Sequence, residues 1–265
     1  MKKYFSIVLA FMLMMGSAVA LNAQKASPAS DFEYDLNEDD TGVIIKKYKG
    51  EAKDVVVPSV IEDFPVVELR NYAFGYTNIV SVVISNGVQT IGSDAFRGCT
   101  SLVSVTIGDG VQTIGSDAFS GCTSLTSINI PNSVKKISYG EFSGCTSLTS
   151  VTIGDGVQTI GGNAFRECTS LTSVTIGDGV KTIEGGAFRG CTSLVSITIG
   201  KGIKTIGGDA FRYCSSLTTF NIGVEEITYD HHDADGFKSD AFEGCSSLSL
   251  KDRIRIKKTG YTGSF

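Results

Sequence analysis

The chain has 265 residues, with 23 Lys and Arg against 28 Asp and Glu, seven cysteines, two histidines and no tryptophan. Its formal charge of −5 becomes −7 once Lys2 and Lys3 are removed. That balance offers no basic face for a phosphate backbone and excludes nucleic acid as a principal partner.

Residues 1–23 read as a secretory signal peptide. Lys2 and Lys3 form the positive start, residues 5–15 are almost wholly apolar, and Ser17, Ala18, Val19 and Ala20 supply small residues for cleavage after Ala20 or Ala23. An uncleaved anchor is the alternative, which the flanks fit less well. No later apolar run is long enough to cross a bilayer, so a soluble product without a transmembrane segment is expected. Residues 24–70 form a linker and a β-rich cap. Phe32, Tyr34 and Leu36 alternate, residues 37–42 supply a turn, and residues 31–57 are expected to fold as a small antiparallel unit over the first coil.

Residues 71–250 are repetitive. Cysteines stand 23 residues apart at Cys99, Cys122, Cys145, Cys168, Cys191 and Cys214, and Cys245 follows after 31, which places an insertion at about 224–237. A shorter, degenerate unit starts near Phe74. Each apolar position recurs as a ladder: Leu102 to Leu248, Phe74 to Phe242, Ile91 to Ile206. One coil cannot bury such side chains, but stacked coils bury them against their own copies. Within a coil, Ser104-Val105-Thr106-Ile107 has strand alternation and Gly108-Asp109-Gly110 breaks it. The stretch from Val111 to Phe119 predicts an irregular segment with a second short strand around Gln112 to Ile114. In residues 251–265, Arg253-Ile254-Arg255-Ile256-Lys257 alternates and predicts a capping edge strand guarded by cations.

Leu102-x-x-Val105-x-Ile107, continued by Val111-x-x-Ile114-Gly-x-x-Ala118-Phe119-x-x-Cys122, resembles the 23-residue repeat of the BspA-like leucine-rich-repeat proteins of Bacteroidota, spirochaetes and some mucosal protists. Residues 31–65 resemble the family's β-rich entry segment. The resemblance implies a right-handed leucine-rich-repeat solenoid, with a parallel β-sheet on one side and short irregular turns on the other. It also implies a surface or secreted adhesin that binds a protein ligand, such as a host matrix protein, or another cell surface. Two departures stand out. Only Pro131 fills the proline position after the strand. Gly110, Gly156, Gly179 and Gly202 replace the asparagine of other leucine-rich repeats, which removes its hydrogen-bond ladder.

The candidate ligand face is the outward side of the strands: Ser104, Ser127, Ser150, Ser173, Ser196 and Thr219, beside Thr106, Asn129, Thr152, Thr175, Thr198 and Asn221. These side chains are short, uncharged and able to hydrogen-bond. They also simply suit a wet sheet, and a threonine array against ice is a remote further reading. In-register cysteines meet disulfide torsion poorly, so a buried thiol ladder is expected, with one adventitious bridge left open. His231, His232, Asp233 and Asp235 in the insertion could ligate a divalent cation, or form a plain solvated loop. Arg166, Arg189 and Arg212, with Lys181, Lys201 and Lys204, suggest either a basic strip for sulfated glycans or an ordinary solvated face. No nucleophile, base and orienter converge, so neither an enzyme nor a cofactor is expected. The function these features favour is a non-catalytic protein-binding module, exported to the periplasm, the outer surface or the medium. The alternative is a structural, self-associating envelope or biofilm protein.

Overall fold

The computed structural model describes residues 25–230 and 240–265, and the signal-peptide reading and the metal reading of His231, His232, Asp233 and Asp235 both fall outside them. The chain enters through β1 (Phe32–Leu36), β2 (Val43–Tyr48), β3 (Asp54–Val56), β4 (Val60–Ile61) and β5 (Phe64–Leu69). From there each coil contributes one four-residue strand and one two-residue strand. These are β6 (Ser81–Ile84) and β7 (Thr90–Ile91), β8 (Ser104–Ile107) and β9 (Thr113–Ile114), and β10 (Ser127–Ile130) and β11 (Lys136–Ile137). The series continues with β12 (Ser150–Ile153) and β13 (Thr159–Ile160), β14 (Ser173–Ile176) and β15 (Thr182–Ile183), and β16 (Ser196–Ile199) and β17 (Thr205–Ile206). It ends with β18 (Thr219–Ile222) and β19 (Thr228–Tyr229), before helix α1 (Leu250–Lys258).

The architecture is a parallel-strand β-solenoid, as the repeat predicts. Identical slots pair across coils: Ser173 with Ser196, Thr175 with Thr198, Thr182 with Thr205. The second short strand forms at Thr113–Ile114, within the predicted span. The remaining side of each coil is a run of turns, and it has its own ladder. Asp94, Phe96 and Gly98 donate their N–H groups to the carbonyls of Ser116, Ala118 and Ser120 in the next coil. The same alternate-residue pattern recurs from Tyr72 to Gly190. The turn side is therefore irregular in conformation but joined coil to coil by its own backbone hydrogen bonds, as buried backbone requires.

The core is a set of ladders. Phe74, Phe96, Phe119, Phe142, Phe165, Phe188, Phe211 and Phe242 stack with ring centroids 4.8–5.5 Å apart and planes within 18°. Coil spacing sets this distance, close to the strand separation of a sheet. All seven cysteines are free and buried. Each thiol does more than fill space. Cys122 Sγ donates to Phe96 O at 3.2 Å, Cys191 to Phe165 O at 3.1 Å and Cys245 to Phe211 O at 3.0 Å, and the other four repeat the contact. A small residue with a weak donor fits here because the phenylalanine carbonyl has a second lone pair facing an apolar gap. Burial pushes the thiols of Cys145, Cys191 and Cys245 up to about 12.

Three expectations need correction. The C-terminal segment is a helix, not an edge strand. Ser249 caps it by accepting from Asp252 N at 3.1 Å, Asp252 lies in the first turn, and Arg255, Lys257 and Lys258 lie in the last. Caps and charges placed this way favour a helix, and they outweigh alternation where a strand would have a single neighbour. The entry segment is not a separate antiparallel unit. Only β1–β2 and β4–β5 pair antiparallel, whereas β2 and β3 already stack in parallel on β5 and β6. Finally, the hydrogen-bond ladder lost at Gly110 reappears near by. Oδ1 of Asn86, Asn132 and Asp178 accepts the N–H of Asp109, Asp155 and Lys201 one coil on. The glycines that follow are required, since a Cβ at Gly110 or Gly156 would stand 1.8 Å from the carbonyl oxygen of Asn86 or Asn132.

Candidate functional site on the strand face

The first row of predicted residues falls on successive strands at the positions Ser104, Ser127, Ser150, Ser173, Ser196 and Thr219, and the second at Thr106, Asn129, Thr152, Thr175, Thr198 and Asn221. All twelve face outward. Nine are exposed, and Thr106, Ser196 and Thr219 are half-buried. Alternation produces this result: Ile128, Ile130, Val174, Ile176, Ile197 and Ile199 take the inward places. Among the twelve, only Asn221 is engaged by another of the described residues, accepting from Arg255 Nη1 at 3.1 Å. The threonines beside the face behave differently. Thr149 Oγ1 and Thr218 Oγ1 donate to backbone carbonyls of the preceding coil at 3.0 and 3.2 Å. The face thus presents hydroxyl and amide groups whose hydrogen bonds are open to solvent or to a ligand.

The face is interrupted once. Strand pairing lapses between β8 and β10 and between β9 and β11. Two substitutions in the β10–β11 coil account for it. Pro131 has no N–H to give the preceding coil, where Gly154 N donates to Ile130 O at 3.0 Å and Gly200 N to Ile176 O at 2.9 Å. Ser138 N turns inward to Glu141 Oε2 at 2.7 Å, whereas its counterparts Gly115, Gly161 and Gly207 bond to the coil before. Ser133 and Ser138 hydroxyls take over the carbonyls of Val111 and Ile114. Glu141 occupies the slot that holds alanine in the neighbouring coils. It is 0% exposed, and its Oε1 has no partner. Burial holds its carboxyl well above the usual carboxylate range. The turn side stays closed, with Asp117, Phe119 and Gly121 donating across the seam. Shallow clefts flank the displaced corner, one of them lined by Asn129, Pro131, Asn132 and Thr152.

The basic strip is largely internal. Arg189 and Arg212 pair at 3.0 and 3.3 Å with Asp209, which is fully buried, and Arg166 pairs with Glu167 at 3.1 Å. These arginines neutralise a carboxylate of the turn side, leaving Lys181, Lys201 and Lys204 as the exposed cations of the strip. Among the described residues, no three His, Cys, Asp or Glu side chains are grouped to hold a metal, and no helix is long and apolar enough to cross a membrane.

Comparison with known proteins agrees with this geometry. The BspA type leucine rich repeat region matches residues 67–178 and 159–259, in six copies. Among solved structures, the leucine-rich-repeat protein TpLRR of T. pallidum is 30% identical, with a TM-score of 0.67, covering 91% of this chain and 99% of that one. A leucine-rich cell surface protein of Faecalibacterium prausnitzii is 22% identical, with a TM-score of 0.41, covering 91% and 99%. A leucine-rich-repeat protein of Eubacterium ventriosum is 18% identical, with a TM-score of 0.46, covering 83% and 94%. No curated protein matches. With its repeat model spanning most of the sequence and its coils stacked in register, the chain belongs to the BspA-type leucine-rich-repeat family.

Proposed function

We propose that the protein is an exported, non-catalytic binding module that takes a protein ligand on its strand face, in the manner of an adhesin. One observation carries this reading: eleven of the twelve outward side chains on the strands have no partner among the described residues, although hydrogen-bonding groups elsewhere on the coil are engaged. The face offers little apolar area, so a single contact is weak. Strength comes from repetition over successive coils and from many copies at one surface. The test is a screen of the protein against matrix proteins and whole cells, repeated with Thr152→Lys/Thr175→Lys/Thr198→Lys. These side chains point to solvent, so the variant folds as the parent does and loses affinity for whatever the screen finds. Equal binding by parent and variant removes the strand face from consideration.

A further inference from the structure

Each of the seven coils from Tyr72 to Tyr213 passes twice through the left-handed backbone region on its turn side. The first slot holds Asp94, Asp117, Gly140, Asn163, Gly186 and Asp209, at φ of 55 to 67°. These are the residue types that tolerate the conformation. The second slot is glycine at Gly98, Gly121, Gly144, Gly190 and Gly244, with Glu167 at φ 59° and Tyr213 at φ 60°, the Tyr213 ring lying against Gly244 and under Arg212. The first coil alone has a bulky aromatic in both, Tyr72 and Tyr76, each at φ 60°. Burial does not offset the strain, since Tyr72 is 53% and Tyr76 70% exposed. Strained, exposed aromatics that add nothing to the core point to a use outside the fold.

Their surroundings indicate the ligand chemistry. One edge of the Tyr76 ring lies over Gly98, which has no side chain to displace it. The Tyr72 hydroxyl faces the Asp94 carboxylate, which Arg97 holds at 2.8 Å. Arg70, Asn71 and Asn78 are exposed around the pair, while the apolar neighbours Ala73 and Phe74 are buried. Two exposed rings beside a carboxylate and its arginine, with exposed guanidinium and amide side chains as chain neighbours, do not suit a desolvating protein contact. They do suit a pyranose. Its C–H face is drawn to the negative face of the ring, and its hydroxyls meet donors and acceptors at the margin. Two rings four residues apart on an open edge favour a stretch of polymer over one enclosed sugar.

We infer that Tyr72 and Tyr76 form a stacking platform for a neutral β-linked polysaccharide, on the side of the first coil opposite the strand face. This site stands independently of the protein-binding reading. The experiment is co-sedimentation of the full chain with microcrystalline β-1,4-glucan, chitin and an insoluble β-1,3-glucan. The variant is Tyr72→Asp/Tyr76→Gly, which installs the residue types of Asp94 and Gly98. The parent is expected to sediment with at least one polymer. The variant should bind at least tenfold less while melting at the same or a higher temperature, because the strain is gone. Thr152→Lys/Thr175→Lys/Thr198→Lys should sediment like the parent. The inference fails if the parent binds none of the three polymers, or if the tyrosine variant binds undiminished. A lower melting temperature for the tyrosine variant also overturns it, since the rings would then be packing residues.

Discussion

Replacing Glu141 with alanine should stabilise the protein, and the gain should depend on pH. Burial raises the native pKa of this carboxyl above its ordinary value, and each pH unit of that rise costs the native state about 1.4 kcal/mol once the pH exceeds it. Alanine removes this term. It also releases Ser138 N from Glu141 to bond to Ile114 O as its counterparts do, an exchange of one hydrogen bond for another that adds little. Against this stands the space left by the longer side chain. The fully buried Ala118 and Ala164 of the adjoining coils show that the stack accepts alanine there, so the void closes with the seam. The net expectation is a gain on the order of 1–2 kcal/mol at pH 7, or roughly 2–8 °C in melting temperature for a chain of this size. The sign with pH follows from the raised native value. The native state holds a proton that the unfolded chain releases. The contribution of Glu141 is therefore complete below the ordinary carboxylate range and is lost as pH rises through the native value. The gap between variant and parent should widen from pH 4 to pH 7, and Glu141→Gln should show no such trend of its own. Urea and thermal melts at both pH values provide the assay. A Glu141→Ala protein less stable than the parent at pH 7, or a gap equal at both pH values, refutes the account.

Other outcomes can be checked as directly. The native protein should react slowly with a thiol reagent, and all seven thiols should titrate after unfolding without reductant, whereas three native disulfides would contradict the ladder. Gly156→Ala should destabilise by about 3 kcal/mol, because the new Cβ meets the Asn132 carbonyl and main chain cannot step aside. Deleting residues 250–265 uncovers Phe242 and removes the Arg255 contact with Phe220 O, so light scattering should show oligomers growing with concentration. A truncated chain that stays monomeric would show that the final coil needs no cover.

Most of the solenoid was legible because its information is periodic. The slots of Leu102, Ile107, Ile114, Phe119 and Cys122 recur in register, and only stacking buries them together, so both strands of a coil and the outward rows followed from spacing. What escaped was whatever breaks the period. Glu141 was visible as the exception in an alanine slot, but only the stacked coils show that its carboxylate draws Ser138 N out of the ladder. Tyr72 and Tyr76 lie in a degenerate unit, where apolar spacing says nothing about left-handed backbone. The C-terminal helix escaped because the reading there rested on the alternation at Ile254 and Ile256 alone, while Ser249 and Asp252, which cap the helix, went unread. The displaced side-chain ladder was missed because the asparagine position was compared slot for slot, while Asn86 and Asn132 act from another place in the corner.

The turn-side hydrogen bonds carry an electrostatic consequence. In the peptide units ending at Asp94, Phe96 and Gly98, the N–H points to the following coil and the carbonyl to the preceding one. Neighbouring peptide units of a regular strand oppose one another and largely cancel. These three share one direction, and so do their copies in the coils above and below. Their dipoles add along the stack as they do along an α-helix, although the row itself is built of turns. The row therefore accumulates partial positive charge where its last N–H groups emerge, near Phe242, and partial negative charge at the entry end. Tyr261 meets the first of these with an acceptor, its hydroxyl 3.4 Å from Phe242 N. Tyr48 meets the second with a donor, its N–H 2.7 Å from Ala73 O. Each added coil lengthens this dipole, so the two ends need opposite terminators, a donor at the start and an acceptor at the finish, and the entry and exit segments of such a solenoid cannot be exchanged.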